Sequence, residues 1–216
     1  MRSDRCQVTC FRDGAPRLDD SYGHGGVWDE EAERFDEQPD HGLRDLSVRE
    51  AWAGLLLPMM PSASSRVADL GCGTRSVSLL LAQARHCVSG LDISPVMVGK
   101  ARLKFSSTGY EADFTVCDAA TPPWPASSFD VVMTRHVLWK MDDPDAALMR
   151  WSDLLAPGGL LILVEGLWWT GAGLGAREVT DLVLRHRAEV EVVALGDPAF
   201  WGEPVEDERF AVVSRR

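Results

Sequence analysis

A glycine turn between a predicted strand and a predicted helix is the segment best suited to chemistry. Its residues are Asp69-Leu70-Gly71-Cys72-Gly73-Thr74, directly after the apolar pair Val67-Ala68. The two glycines remove side chains where a ligand must approach the backbone, and exposed amides at a helix N-terminus favour a negatively charged group. The pattern predicts a ligand-binding turn, and its alternative is an ordinary tight connection between strand and helix.

An acidic residue lies at the distance from this turn that nucleotide binding requires. Asp92 ends the next predicted strand, roughly 20 residues downstream, where a carboxylate meets ribose hydroxyls in nucleotide-binding βαβ units. Its alternative role is to cap the following helix. A dinucleotide fingerprint would place a third glycine shortly after Gly73, where this chain has Thr74, Arg75 and Ser76. The pattern therefore favours a nucleoside cofactor other than a nicotinamide dinucleotide.

Four other side chains are candidates for binding or catalysis. Asp118 follows the third predicted strand and suits the exocyclic amine of an adenine, with an ordinary turn role as its alternative. Met97 is an apolar residue able to cover a flat base. His136, just after the fourth strand, and His41, near the N-terminus, are candidate general bases. A structural or cofactor-contact role is the alternative for both histidines.

The elements that must position these residues alternate between short β-rich runs and longer helical patterns. Predicted strands cover residues 67–70, 87–92, 113–117, 129–134, 160–165, 190–195 and 209–214, and predicted helices cover 30–35, 48–57, 77–81, 95–105, 146–155 and 176–187. This alternation predicts an α/β fold, a mostly parallel sheet with helices on both faces. The last two strands have nothing helical between them and should form an antiparallel hairpin at the sheet edge.

The length of the chain predicts one domain. Its 216 residues suit a domain of about 100–200 residues with a modest extension. We expect a flexible segment over residues 1–27 and a single domain over 28–216, made of a helical lid (28–62) and a core (63–216). The longest apolar stretch, residues 158–167, is interrupted by Glu165 and is shorter than the roughly 18 residues of a membrane span. It predicts a buried strand.

The charge of the chain argues against some partners. The sequence has 22 Lys and Arg against 33 Asp and Glu, a net charge of −11. Nucleic-acid binders carry clustered cations, so neither nucleic acid nor a membrane surface is expected as a partner. The surplus acid favours a neutral or cationic substrate over an anionic one. The cluster Asp29, Glu30, Glu31 and Glu33 is interpreted as a solvated helix face.

The cysteines indicate a reducing compartment. They are Cys6, Cys10, Cys72, Cys87 and Cys117. An odd number without a dense framework is typical of reduced thiols in the cytoplasm. Cys6 and Cys10 could bind a metal with His24, but the sequence has no second cysteine pair to complete a structural zinc site, so no metal is expected.

From about Trp28 to its C-terminus the chain resembles the class I S-adenosylmethionine-dependent methyltransferases, particularly the methyltransferase type 11 group. The resemblance is carried by Val67-Ala68-Asp69-Leu70-Gly71-Cys72-Gly73-Thr74, Gly90-Leu91-Asp92-Ile93-Ser94-Pro95-Val96-Met97, Cys117-Asp118-Ala119-Ala120, Ser128-Phe129-Asp130-Val131-Val132 and Leu155-Ala156-Pro157-Gly158-Gly159-Leu160. It implies a Rossmann-like sheet of seven strands with an antiparallel C-terminal strand. It also implies S-adenosylmethionine as the cofactor.

The resemblance implies roles for individual residues. Gly71 and Gly73 would approach the methionine part of the cofactor, Asp92 would hold the ribose hydroxyls, and Asp118 with Ala119 would recognise adenine. The full set of expected cofactor residues is Trp28, Phe35, Asp69, Gly71, Cys72, Gly73, Asp92, Ile93, Met97, Asp118, Ala119 and His136. The family usually has a third glycine where this chain has Arg75. That cation could pair with the cofactor carboxylate or crowd it.

The expected function is methyl transfer from S-adenosylmethionine to a small-molecule or peptide acceptor by in-line displacement. The cofactor supplies the reactivity and the protein the alignment, so a catalytic base is optional. One alternative is a non-catalytic methyltransferase-like binding protein in which Arg75 blocks the pocket, and a weaker one is a nicotinamide-dependent oxidoreductase. Five tryptophans either fill the core or form an aromatic binding wall: Trp28, Trp139, Trp168, Trp169 and Trp201. The acceptor atom and the oligomeric state stay open.

Overall fold

The computed structural model of the protein describes residues 25–110 and 112–215. Most of the segment expected to be flexible, residues 1–27, lies outside this part, as do Cys6, Cys10 and His24. The helices are α1 Gly25–Glu31, α2 Pro39–Gly42, α3 Leu46–Leu56, α4 Ser76–Gln83, α5 Pro95–Ser106, α6 Pro144–Asp153 and α7 Ala176–Val183. The strands are β1 Arg66–Leu70, β2 Cys87–Asp92, β3 Asp113–Val116, β4 Phe129–Arg135, β5 Leu155–Leu167, β6 Glu191–Ala194 and β7 Glu208–Arg215.

The seven strands form one sheet in the order β3-β2-β1-β4-β5-β7-β6. Neighbouring strands from β3 to β5 are parallel, whereas β7 runs antiparallel to both β5 and β6. The predicted Rossmann-like fold and its antiparallel hairpin are thereby confirmed. The strand order reverses between β1 and β4. In open α/β sheets this reversal opens a crevice at the carboxyl ends of the strands, where ligands bind.

Each face of the sheet has its own apolar core, because alternate residues of a strand point to opposite faces. Val67 of β1 packs with Trp52 of α3 and Leu81 of α4 in one core. Ala68, the next residue, packs with Trp151 of α6 in the other. Since both faces are covered, the central strands are buried almost throughout, as the apolar runs of the sequence predict.

Side-chain caps fix where the helices that flank the site begin. Asp45 accepts a hydrogen bond from the amide of Ser47 at the start of α3. Ser94 accepts one from the amide of Met97 at the start of α5, and a proline in the first turn of that helix lacks the amide that would otherwise be unpaired. In the part of the chain that the structure describes, every helix is too short or too polar to span a membrane.

Several boundaries differ from the predicted ones. The helix predicted at 30–35 is wrong: α1 ends at Glu31, and a 3-10 turn covers Phe35–Glu37. The helix predicted at 176–187 ends at Val183. Strand β5 begins at Leu155 and not at 160, because Leu155 pairs with Phe129 before the register shifts. Pro157, Gly158 and Gly159 therefore lie within β5, where its pairing with β4 is irregular.

Candidate active site

A cavity of about 350 Å³ opens where the glycine turn after β1 faces the carboxyl ends of β2 and β4. Every predicted site residue except Asp118 contributes to its wall, including Trp28, Phe35 and His41 from the N-terminal segment and Asp69, Cys72, Ile93, Met97, Ala119 and His136 from the core. The cavity also has lining residues that were not predicted, among them Arg135, Val137, Lys140 and Met141. Its volume lies within the range of small-molecule sites.

The glycine turn has the backbone geometry that only glycine adopts easily. Gly71 has φ +68° and Gly73 has φ +54°, both in the left-handed region. A Cβ atom on Gly71 would lie 2.4 Å from a methyl group of Val137, and one on Gly73 would lie 3.0 Å from the ring of Phe35. The turn is thus a tight cradle whose backbone faces the cavity directly.

Asp92 is held by the protein and still has capacity for a ligand. One carboxylate oxygen accepts the amide hydrogen of Gly73 (2.8 Å) and the other accepts that of Ser94 (2.9 Å). Burial raises the pKa of Asp92, and these two amide hydrogen bonds oppose the shift because they favour the ionised form. A carboxylate oxygen can accept two hydrogen bonds, so each can also accept a ligand hydroxyl.

Asp118 does not line the cavity. Its carboxylate accepts the amide hydrogen of Ala120 (2.8 Å) within its own turn, and the side chain is not part of the cavity wall. The neighbouring Ala119 does line the cavity, and its carbonyl accepts a hydrogen bond from the indole of Trp151 (2.8 Å). This end of the cavity is therefore lined by apolar groups. An adenine contact by Asp118 stays a prediction.

Two aspartates, Asp29 and Asp36, connect the N-terminal segment to the residues around the glycine turn through hydrogen bonds and an ion pair. Asp29 accepts a hydrogen bond from the hydroxyl of Ser94 (2.5 Å), so this residue does not belong to a solvated helix face. Asp36 accepts a hydrogen bond from the hydroxyl of Thr74 and forms an ion pair with Lys104 (2.9 Å). These contacts join residues that are far apart in the sequence, so the acidic residues near Asp29 did not predict them. They hold Phe35 against Gly73 and close one side of the cavity.

Both candidate histidines lie in the cavity wall and are uncharged at neutral pH. The ring of His41 stacks on Phe35 at 4.2 Å, and burial together with Arg135 lowers the pKa of His41 to about 4. Burial also lowers the pKa of His136 well below its ordinary value, and Arg135 adds to the effect. Both ring nitrogens of His136 are buried, and neither has a hydrogen-bond partner among the described residues.

Arg75 occupies the place of the third glycine without filling the cavity. Its backbone takes the left-handed conformation (φ +71°) that a glycine would adopt easily. The guanidinium stacks on the ring of Phe114 and donates to the sulfur of Cys72 (3.3 Å), while burial lowers the pKa of Arg75 to about 10. The cavity keeps its volume of about 350 Å³ with this side chain in place.

Glu165 is a functional candidate that the sequence analysis missed. It is fully buried on β5, and one carboxyl oxygen accepts the amide hydrogens of Val137 (3.1 Å) and Leu138 (2.8 Å). Burial raises the pKa of Glu165 to about 8. The segment it holds carries His136, whose φ is +61°. The signal was present, since a lone acid interrupting an apolar strand is informative when buried.

The tryptophans lie in different parts of the molecule, and only Trp28 lines the cavity among the described residues. Trp201 is buried in the core and meets Trp52 edge-on at 5.7 Å. Trp168 lies 5.2 Å from the ring of His136 and 5.1 Å from that of Trp139. These rings form an aromatic cluster next to the cavity. Trp169 is 88% exposed and belongs to neither group.

Comparisons with known proteins show similarity to methyltransferases. Residues 68–163 match the family model described as "Methyltransferase domain". The chain is 34% identical over 115 residues to aklanonic acid methyltransferase DauC of a Streptomyces species (51% of this chain, 52% of that protein). It is 38% identical over 133 residues to a trans-aconitate 2-methyltransferase of Streptomyces avermitilis (57% and 48%). The chain spans about half the length of these curated relatives.

Solved structures share the fold. The [4+2]-cyclase SpnF aligns with TM-score 0.74 at 20% identity, covering 95% of this chain and 99% of that chain. The N-methyltransferase NodS of Bradyrhizobium japonicum, in complex with S-adenosylhomocysteine, aligns with TM-score 0.67 at 22% identity (88% and 98%). Together with the family match over residues 68–163, this makes the chain similar to the class I S-adenosylmethionine-dependent methyltransferases in sequence and in fold. The cofactor of that family is S-adenosylmethionine, as the sequence motifs predicted.

Proposed function

We propose that the chain transfers a methyl group from S-adenosylmethionine to a small-molecule or peptide acceptor. The observation that carries the proposal is the single cavity that combines the glycine cradle with the Asp92 carboxylate at the carboxyl ends of β1 and β2. S-adenosylmethionine supplies an activated methyl group when bound. The protein then has to bind, orient and exclude water.

Each part of the cavity fits one part of this cofactor. The bare backbone at Gly71 and Gly73 allows close approach of the methionine part, and the remaining acceptor capacity of Asp92 suits two ribose hydroxyls. Ile93, Met97 and Ala119 form an apolar slot for a flat base. Trp28 and Phe35, fixed through Asp29 and Asp36, cover the site from the N-terminal side, and Asp69, Cys72 and His136 complete its wall.

Titration calorimetry of the full chain with S-adenosylhomocysteine tests the cofactor step. We expect micromolar binding that weakens at least about tenfold in Asp92→Asn, because the charged acceptor of two hydroxyl hydrogen bonds is lost. Asp113→Asn is the matched control, since Asp113 is exposed at the start of β3 and lies outside the cavity wall. Absence of binding by the folded parent protein at high micromolar concentration would refute the proposal.

A non-catalytic binding protein is the second candidate. The left-handed Arg75 in the glycine turn is the observation that favours it, and the fold alone does not imply methyl transfer. A non-catalytic binding protein of this kind predicts that Arg75→Gly binds S-adenosylhomocysteine while the parent does not.

The family match lends no support to a nicotinamide-dependent oxidoreductase. A cytoplasmic location belongs to the proposal, and the cysteines do not decide it, because Cys72 and Cys117 are free thiols whereas Cys87 is disulfide-bonded.

A further inference from the structure

The charges that line the cavity are separated into two ends. Asp69 and Asp92 lie at the glycine turn and the end of β2, where the cationic sulfonium cofactor of the proposed function would bind. Arg135 and Lys140 lie at the end of β4 and in the turn that follows it. Arg75 also lines the first end, where its guanidinium stacks on Phe114 and donates to the sulfur of Cys72. We call the end that carries Arg135 and Lys140 the basic end.

Neither cation at the basic end forms a direct ion pair with a carboxylate among the described residues, although the charges of Asp40 and Asp69 act on Arg135 from a greater distance. Within the described residues, Arg135 and Lys140 have no carboxylate oxygen inside ion-pair distance, and Arg135 instead donates to the backbone carbonyl of Asp40. Arg209 on β7 differs from these two cations because it is paired with a carboxylate: it donates hydrogen bonds of 2.9 and 3.1 Å to Asp207. An unpaired cation in a partly desolvated site attracts an anion strongly.

The two histidines that line the cavity, His41 and His136, are also affected by the charge of Arg135. Burial and, as a smaller effect, the charge of Arg135 lower the pKa of His41 and of His136, so both rings are neutral donors or acceptors at neutral pH. A base that is so weakly basic removes a proton poorly from a neutral hydroxyl or ammonium acceptor. An acceptor that is already ionised needs no such base.

The basic end is also aromatic. The Lys140 ammonium lies 3.9 Å from the ring centre of Trp139 and 5.8 Å from that of Trp28, which lines the cavity. The guanidinium of Arg135 lies 5.4 Å from the ring centre of Trp52, which is fully buried in the core, so the aromatic rings of the described residues that line the cavity itself are those of Trp28, Phe35, His41 and His136. Planar surfaces beside cations suit a flat or unsaturated anion.

We propose that the methyl acceptor is a small unsaturated or aromatic carboxylic acid, bound as its carboxylate by Arg135 and Lys140. A planar guanidinium matches the two oxygens of a carboxylate, and carboxylates are ionised at neutral pH, whereas phenols are not. The inference rests on the proposed methyl transfer. It reverses the preference for a neutral or cationic substrate that the net charge suggested.

Methyl transfer to a carboxylate needs no general base, because the acceptor oxygen carries no proton. A carboxylate oxygen supplies the electron pair of the new bond to the methyl carbon, and the bond from that carbon to sulfur breaks with its pair retained on sulfur. The products are a neutral methyl ester and a neutral thioether, and no proton has to be removed. The role of His41 and His136 is then to contact the acceptor as neutral hydrogen-bonding groups.

Binding of matched probes to the full chain saturated with S-adenosylhomocysteine tests this. The probes are 2-naphthoate, 2-naphthamide and 2-naphthylmethylamine, which share one ring system and differ in charge. Calorimetry should give binding of the carboxylate at least about tenfold tighter than that of the amide, and weakest binding of the amine. The carboxylate should lose about tenfold in affinity in Lys140→Gln and in Arg135→Gln, but not in the control Arg177→Gln, whose side chain is exposed on α7.

The outcomes separate the two proposals. If S-adenosylhomocysteine fails to bind, the proposed function is wrong. If it binds and the amine or amide binds as tightly as the carboxylate, or 2-naphthoate does not bind at about 1 mM, only the acceptor class is wrong. Lys140 is exposed, so its variant should fold even if removal of the more buried Arg135 destabilises the protein. An unchanged naphthoate affinity in Lys140→Gln would also overturn the inference.

Discussion

Replacing the buried Glu165 by glutamine should change how stability depends on pH. The Glu165 carboxyl oxygen that accepts from Val137 and Leu138 is retained by the glutamine carbonyl, so the turn after β4 keeps its anchor. The other carboxyl oxygen has no partner in the described structure, so the added amide group displaces no existing hydrogen bond. The substitution therefore removes the titration of one buried group with little change in contacts.

The magnitude follows from the raised pKa. Burial takes the pKa of Glu165 from 4.5 to about 8, so the folded chain binds this proton more tightly than the unfolded chain. Its contribution to stability is therefore complete below about pH 4.5 and is lost as the pH rises to about 8. For these two values, the linkage relation gives a loss of about 3.5 kcal/mol between about pH 5 and pH 8, as an upper bound.

Urea unfolding of parent and Glu165→Gln at several pH values measures this. The difference in unfolding free energy between the two proteins cancels the other titrating groups, among them Asp69 and Asp92, whose pKa values are also raised by burial. We expect the parent to lose stability relative to the variant by roughly 2–3.5 kcal/mol from about pH 5 to pH 8. Parallel stability curves would show that Glu165 is not protonated in the folded protein, and the reasoning from burial would be refuted.

Three further substitutions test other contacts. Asp92→Ala should weaken S-adenosylhomocysteine binding by about 1.5–3 kcal/mol and also lower the melting temperature, since two buried amides lose their acceptor, and an unchanged dissociation constant would contradict the placement. Asp36→Asn should raise amide hydrogen exchange over residues 25–45 without affecting the sheet, because the ion pair with Lys104 is lost. Trp151→Phe should cost about 1–3 kcal/mol in urea unfolding, because the carbonyl of Ala119 loses a buried donor, and wild-type stability would argue against that bond.

The sheet could be predicted because each strand and the turn after it are encoded by neighbouring residues in the sequence. Strand β1 is a short apolar run whose alternate residues enter the two cores, and it ends in glycines that make the turn visible in the sequence. Pro95 and Pro144 mark the starts of α5 and α6 in the same way. Boundaries failed where pairing with a distant strand decided them, as at Leu155, whose partner Phe129 is on β4.

The cofactor half of the site was more predictable than the acceptor half for a related reason. Gly71, Gly73 and Asp92 have fixed spacing because they belong to one βαβ unit, so a pattern in the sequence identifies them together. The acceptor end is assembled from the N-terminal segment, the turn after β4 and the end of β5. Glu165 holds amides that are almost thirty residues earlier in the chain, and no spacing rule describes that contact.

The net charge of −11 shows why a sum over the chain does not describe a site. Most acidic side chains of the described residues are exposed and screened by solvent, so they contribute little to the field inside the cavity. Arg135 and Lys140 are few, but they line the cavity and have no carboxylate partner among the residues described. Because interaction energy rises as both distance and effective dielectric constant fall, these two cations outweigh the distant surplus of acids. The proposed preference for an anionic acceptor therefore follows from the charges at the cavity wall and not from the net charge.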